Sequence, residues 1–151
     1  EVPEELLGCL TYISPNEHEA EDIVGVRPEG ANAVEKAVHE LHEMGVANVL
    51  ITLGKEGCAF SDGNSLVHSP SIDIAPVIDP TAAGDSFIGA FCTAVSAGIS
   101  PEKALVFANC AAGITVSRMG AQTSLPTFGE VISAMKGKGF ETEIYNSIKG
   151  E

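Results

Sequence analysis

Basic side chains are scarce in this sequence. The 151 residues include 8 Lys plus Arg against 21 Asp plus Glu, which gives a formal net charge of −13 at pH 7. Because so acidic a chain is repelled by the phosphates of nucleic acids and of anionic membranes, we exclude both as main partners. A phosphate-bearing ligand would have to be bound locally, through backbone N–H groups or with the help of a cation.

Paired cysteines, long apolar runs and a signal sequence are also missing. No two cysteines form a C-x-x-C pair, and we interpret all four as reduced, mostly buried thiols: Cys9, Cys58, Cys92 and Cys110. No apolar run approaches the roughly 20 residues of a membrane span. The acidic start EVPEELLGC has neither the basic nor the apolar part of a signal peptide. The sequence therefore predicts a cytoplasmic globular protein without a membrane partner.

Short apolar runs alternate with helical patterns along the chain. Strands are predicted at 10–14, 48–53 and 76–79, and a β-hairpin at 58–69 turns around Asp62-Gly63-Asn64. Helices are predicted at 3–9, 16–25, 31–44, 85–98, 102–117 and 128–136. This alternation is typical of an α/β fold with a mainly parallel sheet flanked by helices, here with an added hairpin. Ligands of such sheets bind at the carboxyl ends of the strands.

The stretch IDPTAAGDSF, residues 78–87, combines two aspartates with a run of small residues before a helix. Small residues let a ligand approach the backbone, and the start of a helix presents free N–H groups and a partial positive charge. Asp85 could simply cap the helix, or it could be a base beside an anion bound at this loop. The spacing alone leaves both interpretations open.

Other polar positions have ordinary explanations from the residues alone. Asn16 and Glu19 fit a helix cap, 52–57 fits a turn, and 115–124 fits a surface loop. Asn109 lies in a helix predicted to be buried, where its amide needs a partner, either structural or a ligand.

Several of these motifs, in order, resemble those of one family. DPTAAGD resembles the Asp-Thr-x-Gly-Ala-Gly-Asp signature of the ribokinase-like carbohydrate kinases (the phosphofructokinase-B family), with Pro80 in place of Thr and Ala82 in place of the first Gly. ISPNEHEAEDIVG resembles the family's Asn-x-x-Glu motif and ITLGKEG its phosphate-contacting turn. FANCAAGITVSRMGAQTSLPT resembles the C-terminal segment of ribokinases. Several ordered matches are more specific than any one alone.

The resemblance implies the C-terminal half of such a kinase. Because the matches cover almost the whole chain and no initiator Met is present, we interpret residues 1–151 as a single nucleotide-binding α/β unit that lacks the N-terminal sugar-binding half and lid. The implied partners are ATP and a small sugar, and the isolated piece is expected to be inactive. The identity of the sugar cannot be read from this half.

The resemblance also implies roles for individual residues. Asp85 would be the catalytic base. The N–H groups of Ala82, Ala83 and Gly84 would form an anion hole. ATP would be bound by Asn16, Thr52, Leu53, Gly54, Lys55, Glu56, Gly57, Gly84, Asp85 and Asn109. Glu19 would act on Mg²⁺ through water. A K⁺ activator would be bound by Asp79, Thr81, Thr115, Arg118, Gly120 and Ser124.

Two other functions compete with a kinase. GDSF resembles the nucleophile turn of Gly-Asp-Ser esterases, with Ser86 as nucleophile, but no histidine follows His68 to serve as base. We interpret the histidines as solvated: His18, His39, His42 and His68. The other alternative is a non-catalytic nucleotide-binding fragment. A truncated sheet would expose an edge and apolar surface, which predicts self-association and possible homo-oligomers.

Overall fold

The computed structural model describes residues 3–149. The chain divides into two compact units, Glu1–Pro70 and Ser71–Glu151. That they act together as one nucleotide-binding unit stays a prediction.

The first unit is built on a four-stranded sheet. The strands are β1 (Tyr12–Ile13), β2 (Asn48–Thr52), β3 (Cys58–Ser61) and β4 (Leu66–Ser69), in that spatial order. β1 and β2 are parallel, whereas β2–β3 and β3–β4 are antiparallel. The predicted α/β class and the hairpin are confirmed, but the described sheet is mixed rather than mainly parallel. Short turns after β2 and β3 permit only antiparallel pairing, and the parallel pair needs a helical crossover.

Two longer helices provide that crossover, α2 (Glu17–Val24) and α3 (Ala31–Glu43), after a short α1 (Glu4–Leu7). The apolar face predicted for α3 is confirmed, since Val34, Ala37, Val38 and Leu41 are buried. They join one apolar core with the strand residues Val49, Ile51 and Ala59. This core holds β2 in position. Asn16 and the turn after β2 follow the carboxyl ends of β1 and β2.

The strand predicted at 76–79 is wrong. The structure assigns no strand to residues 71–80. The N–H groups of Ile78 and Asp79 instead donate to the Val116 carbonyl, at 2.7 and 3.1 Å. Pro76 and Pro80 have no N–H to donate to a neighbouring strand. This disfavours a strand here and favours the two hydrogen bonds to the Val116 carbonyl.

The second unit is helical: α4 (Ala83–Ser96), α5 (Pro101–Thr115) and α6 (Phe128–Gly137). α4 begins two residues before the predicted start. α5 is buried over most of its surface, as its nearly continuous apolar sequence predicts. Residues after 137, which carried no sequence prediction, include a 3₁₀ segment at Glu143–Lys149. Tyr145 in it stacks on Phe107 and donates its hydroxyl to the Lys103 carbonyl at 2.9 Å.

Two expectations about single side chains need correction. All four thiols are free, but Cys9 and Cys92 are exposed, so burial holds only for Cys58 and Cys110. His42 is half-buried rather than solvated. Its Nδ1 lies 2.9 Å from the Val46 carbonyl and its Nε2 lies 2.9 Å from Ser61 Oγ. Within residues 3–149, no helix combines the length and apolarity needed to span a bilayer.

Candidate active site

In the first unit, Asn16 lies beside the turn that follows β2. Thr52 donates its N–H to the Pro15 carbonyl at 3.0 Å, and Asn16 and Thr52 form an isolated parallel bridge. The ends of two parallel strands therefore meet here, the usual position of ligands in α/β sheets. Asn16, Glu19 and the turn at 52–57, which the sequence places far apart, belong to one edge of the sheet.

The start of α2 is a complete capping box. Asn16 Oδ1 accepts the N–H groups of His18 (3.0 Å) and Glu19 (2.9 Å), and the Glu19 carboxylate accepts the Asn16 N–H at 2.9 Å. The cap expected from the residues alone is thus confirmed. It also orients both side chains, and Glu19 stays exposed, so its carboxylate can still meet a hydrated ion.

The turn after β2 is held by its own backbone. Leu53 donates to the Gly57 carbonyl at 2.8 Å, and Glu56 donates to the Leu53 carbonyl at 2.9 Å. Gly54 and Gly57 have φ of 52° and 98°, the left-handed region that favours glycine. Leu53 is buried, whereas Gly54, Lys55 and Glu56 are exposed. The backbone of this turn and Lys55 are therefore exposed to solvent, while Leu53 anchors the turn in the core.

In the second unit, Asp79 joins two loops. Its Oδ1 accepts the Thr81 N–H and its Oδ2 accepts the Gly120 N–H, both at 3.0 Å. Hydrogen bonds from the Thr81 hydroxyl and then from the Gly120 N–H lower the pKa of Asp79. Three of the six residues predicted around K⁺ are thus brought into direct contact. The other three, Thr115, Arg118 and Ser124, belong to the segment that contains Gly120.

That segment, 115–124, is anchored at several points. Arg118 forms an ion pair with Glu130 in α6 (Nη2 to Oε1, 2.6 Å) and donates its N–H to the Thr115 carbonyl at 3.1 Å. Ser124 is fully buried, and its hydroxyl donates to the Ala121 carbonyl at 2.6 Å. The described residues contain no cluster of three His, Cys, Asp or Glu side chains suited to a metal.

The start of α4 is strained and lacks a side-chain cap. Ala82 has φ 61° and ψ 11°, a left-handed conformation unusual for alanine. Ala83 donates its N–H to the Pro80 carbonyl at 3.2 Å and Ser86 donates to Ala82 at 2.9 Å. The N–H groups of Ala82, Gly84 and Asp85 find no acceptor within the described part of the chain. An anion could therefore be received by these three donors, while the N–H of Ala83 already has a partner.

Asp85 does not cap its helix. Its side chain is exposed, and it makes no hydrogen bond or ion pair with another described residue. It lies with Ser86 on a cavity of about 300 Å³ that also borders Phe107, Phe128 and Val131. Asp85 therefore makes no cap hydrogen bond, although its carboxylate lies in the first turn of α4, where the helix dipole favours a negative charge. Its role as a base stays a prediction.

Ser86, the nucleophile in the esterase alternative, is buried. It is only 8 % exposed, and its hydroxyl lies 2.8 Å from that of Thr115. Residues 71–149 contain no histidine that could act as its base. Asn109 is likewise buried in α5, at 6 % exposure, and it already takes part in an interaction within the structure. Its assignment to adenine stays a prediction.

Two features of the site escaped the sequence analysis. One is the Val116 carbonyl, which receives two N–H groups from the segment before Pro80, and the other is the Ser86–Thr115 contact. Every residue has a backbone carbonyl, so the residue type at 116 gives no indication that its carbonyl accepts these hydrogen bonds. A contact across 29 positions between two apolar helices has no local signal either.

The chain is similar in sequence and fold to known proteins. A family model described as pfkB family carbohydrate kinase matches residues 1–128. The chain is 38 % identical over 136 residues to a ribokinase of Arabidopsis thaliana, which covers 89 % of this chain and 36 % of that protein. The crystal structure of a Thermotoga maritima ribokinase matches with a TM-score of 0.80 and 40 % identity, over 89 % of this chain and 45 % of that one.

A further match is the structure of Arabidopsis thaliana ribokinase complexed with ribose and ATP. It has a TM-score of 0.86 and 37 % identity, over 89 % of this chain and 44 % of that one. The chain therefore spans less than half the length of these relatives. With the family model covering residues 1–128, the chain belongs to the pfkB family of carbohydrate kinases.

Proposed function

We propose that this chain supplies the ATP-binding and phosphoryl-transfer part of an ATP-dependent sugar kinase. The observation that carries the proposal is the start of α4, where three N–H groups without acceptors, those of Ala82, Gly84 and Asp85, adjoin the Asp85 carboxylate, which has no internal partner. The similarity to a ribokinase complexed with ribose and ATP supports ATP and a sugar as substrates. Which sugar is phosphorylated is left open.

In the proposed reaction, Asp85 takes the proton of a sugar hydroxyl as its oxygen attacks the γ-phosphorus of ATP. The new bond joins that oxygen to phosphorus, the bond from phosphorus to the β,γ-bridging oxygen breaks, and ADP leaves. The N–H groups of Ala82, Gly84 and Asp85 stabilise charge on the transferring group, and Ala83 shapes the loop through its hydrogen bond to Pro80. A positioned base contributes roughly 10²–10⁴-fold in rate.

In the first unit, we assign the ATP to the edge formed by Asn16 and the turn Thr52–Gly57. Exposed Lys55 can contribute a positive charge, and the family resemblance assigns Asn109 to adenine. Glu19 would hold Mg²⁺ through water, consistent with the few carboxylates that this ion uses. Mg²⁺, when bound, supplies charge neutralisation for the phosphates.

We further assign a K⁺ site to the loops joined by Asp79. Its oxygen donors would come from Asp79, Thr81, Thr115, Arg118, Gly120 and Ser124. The support is the direct contact between Asp79 and both Thr81 and Gly120. K⁺, when bound, supplies positive charge in an acidic chain. The cytoplasmic location expected from the sequence stays a prediction.

Calorimetric titration of this chain with Mg·ATP tests the proposal, once in K⁺ and once in tetramethylammonium, which is too bulky for a small site. Tighter binding in K⁺ is expected. A folded chain that binds no Mg·ATP in either salt contradicts the proposal, with circular dichroism reporting the folding. Binding by this chain, together with no phosphoryl transfer by any longer protein that contains it, would favour the second candidate, a non-catalytic nucleotide-binding module.

A further inference from the structure

A buried pair of hydroxyl groups joins the start of α4 to the end of α5. Ser86 is 8 % exposed and Thr115 is fully buried, and their hydroxyl oxygens are 2.8 Å apart. Most of the other buried residues of α4 and α5 are apolar, among them Phe87, Phe91 and Ile114. A buried hydroxyl is costly unless it is hydrogen-bonded, so the two groups depend on each other.

The direction of these hydrogen bonds follows from their neighbours. Thr115 Oγ1 also lies 3.0 Å from the Ala111 carbonyl, which can only accept. Each hydroxyl has a single proton, so both contacts are satisfied when Thr115 donates to Ala111 and Ser86 donates to Thr115. The Ser86 hydroxyl is thereby directed towards α5, and the first turn of α4 is held against α5 through it.

The other end of the same loop is held by the same turn of α5. Val116, next to Thr115, accepts the N–H groups of Ile78 and Asp79 through its carbonyl. Ser86 follows Asp85 directly and donates its N–H to Ala82 at 2.9 Å. The segment from Ile78 to Ser86 is therefore fastened to α5 at both ends, and the left-handed Ala82 lies between the two attachments.

We propose that Ser86 and Thr115 are positioning residues that fix the first turn of α4, and with it the direction of the Asp85 carboxylate and of the Gly84 and Asp85 N–H groups. The inference rests on the proposed function for its catalytic meaning. Its geometric content, a hydroxyl pair that orders the start of α4, can be tested without ligand.

Two substitutions at Thr115 separate hydrogen bonding from packing. Thr115→Val keeps the shape and removes the hydroxyl, whereas Thr115→Ser keeps the hydroxyl and removes a methyl group. NMR spectra of the ligand-free chain would report the amide signals of Gly84 and Asp85. We expect them to shift and broaden in Thr115→Val and in Ser86→Ala, and to return to the wild-type positions in Thr115→Ser.

Thr93→Val is the matched control. Thr93 lies in α4, is exposed, and donates its hydroxyl to the Gly89 carbonyl four residues earlier, at 2.7 Å, just as Thr115 donates to Ala111. The control removes the same kind of helix hydroxyl without touching Ser86, and it should leave the Gly84 and Asp85 signals in place. The double variant Ser86→Ala/Thr115→Val should disturb them no more than either single variant does.

The outcomes divide cleanly. The inference is overturned if the Gly84 and Asp85 signals stay at their wild-type positions in both Thr115→Val and Ser86→Ala. It is also overturned if Thr115→Ser disturbs these signals and Thr115→Val does not, because that pattern indicates packing rather than hydrogen bonding. If the wild-type signals are ordered but do not respond to Mg·ATP, the proposed function fails and the positioning inference stands. In an active kinase that contains this chain, Thr115→Val should lower kcat about 10- to 100-fold with little change in the KM for ATP.

Discussion

Asp85 is the residue whose replacement best separates binding from chemistry. Asp85→Asn keeps the shape of the side chain and removes the base, so phosphoryl transfer by the complete kinase should fall by roughly 10²–10⁴-fold. Mg·ATP binding should change little, because the N–H donors of Gly84 and Asp85 remain. Turnover and calorimetry measure the two effects separately.

The matched control is Asp73→Asn, at an exposed aspartate in the same unit. It makes the same chemical change away from the α4 start and should leave turnover unaltered. Undiminished turnover in Asp85→Asn would contradict the assignment of the base.

Ala82 is held in the left-handed region, with φ 61°. An L-residue in the left-handed region loses roughly 1–2 kcal/mol, a cost that glycine avoids. Glycine loses more entropy on folding, so we expect Ala82→Gly to raise the free energy of unfolding by up to about 1 kcal/mol. Urea denaturation measures the change.

The neighbouring substitution Ala83→Gly should have the opposite sign, by roughly 0.5–1 kcal/mol, because Ala83 is already helical. Destabilisation by both variants would show that Ala82 carries no strain. The family signature has Gly where this chain has Ala82, so the strained position coincides with a departure already visible in the sequence.

Among the elements, α5 packs closely against the segment that precedes Pro80. A Cβ atom on Gly113 would come within 2.5 Å of the Ile72 carbonyl oxygen and 2.9 Å of a side-chain carbon of Ile74. Gly113→Ala must therefore displace this segment, and we expect a loss of roughly 1–3 kcal/mol in the free energy of unfolding. Thermal or urea unfolding provides the measurement.

Gly129→Ala is the control for that prediction. Gly129 lies in α6, and a Cβ there would meet nothing within 4 Å. The same substitution should stabilise the helix by roughly 0.5–1 kcal/mol. A similar gain at Gly113 would mean that the segment at 72–74 does not press on α5.

The ion pair between the 115–124 segment and α6 predicts a dependence of stability on pH. Hydrogen bonds from Arg118, then from Thr127, lower the pKa of Glu130 from 4.5 to about 2. Because the pKa is lower in the folded state, the stabilisation is present above pH 4.5 and is lost as the pH falls towards 2. The difference in melting temperature between the wild type and Glu130→Gln should therefore shrink over that range. A difference independent of pH would contradict this account.

At the scale of the whole molecule, exposed edges and apolar side chains predict self-association. β1 pairs with β2 alone, so its other edge is open among the described strands. Val77, Ile78 and Met119 are 70 %, 60 % and 70 % exposed. Such edges and surfaces favour contact between chains. Light scattering over a range of concentrations tests this, and a monodisperse monomer throughout would contradict it.

Many features of the molecule could be read from residue order alone. The period of apolar residues in α3 predicted its buried face, Asp62-Gly63-Asn64 predicted the hairpin turn, and the ordered motifs indicated the carbohydrate-kinase family. These are local properties, because a helix face or a tight turn depends on residues a few positions apart. Net charge likewise follows from composition, whatever the fold.

Only the tertiary structure decided how the candidate site is assembled. The residues at 76–79 look like a strand, yet they donate to one carbonyl at the end of α5. That Asp85 makes no cap hydrogen bond, and that Ser86 is buried against Thr115, could be seen only in the folded chain. Every residue has a backbone carbonyl, so residue type does not indicate which carbonyl accepts a hydrogen bond. A pair of hydroxyl groups on two different helices follows no periodic spacing in the sequence, so no local pattern predicts it.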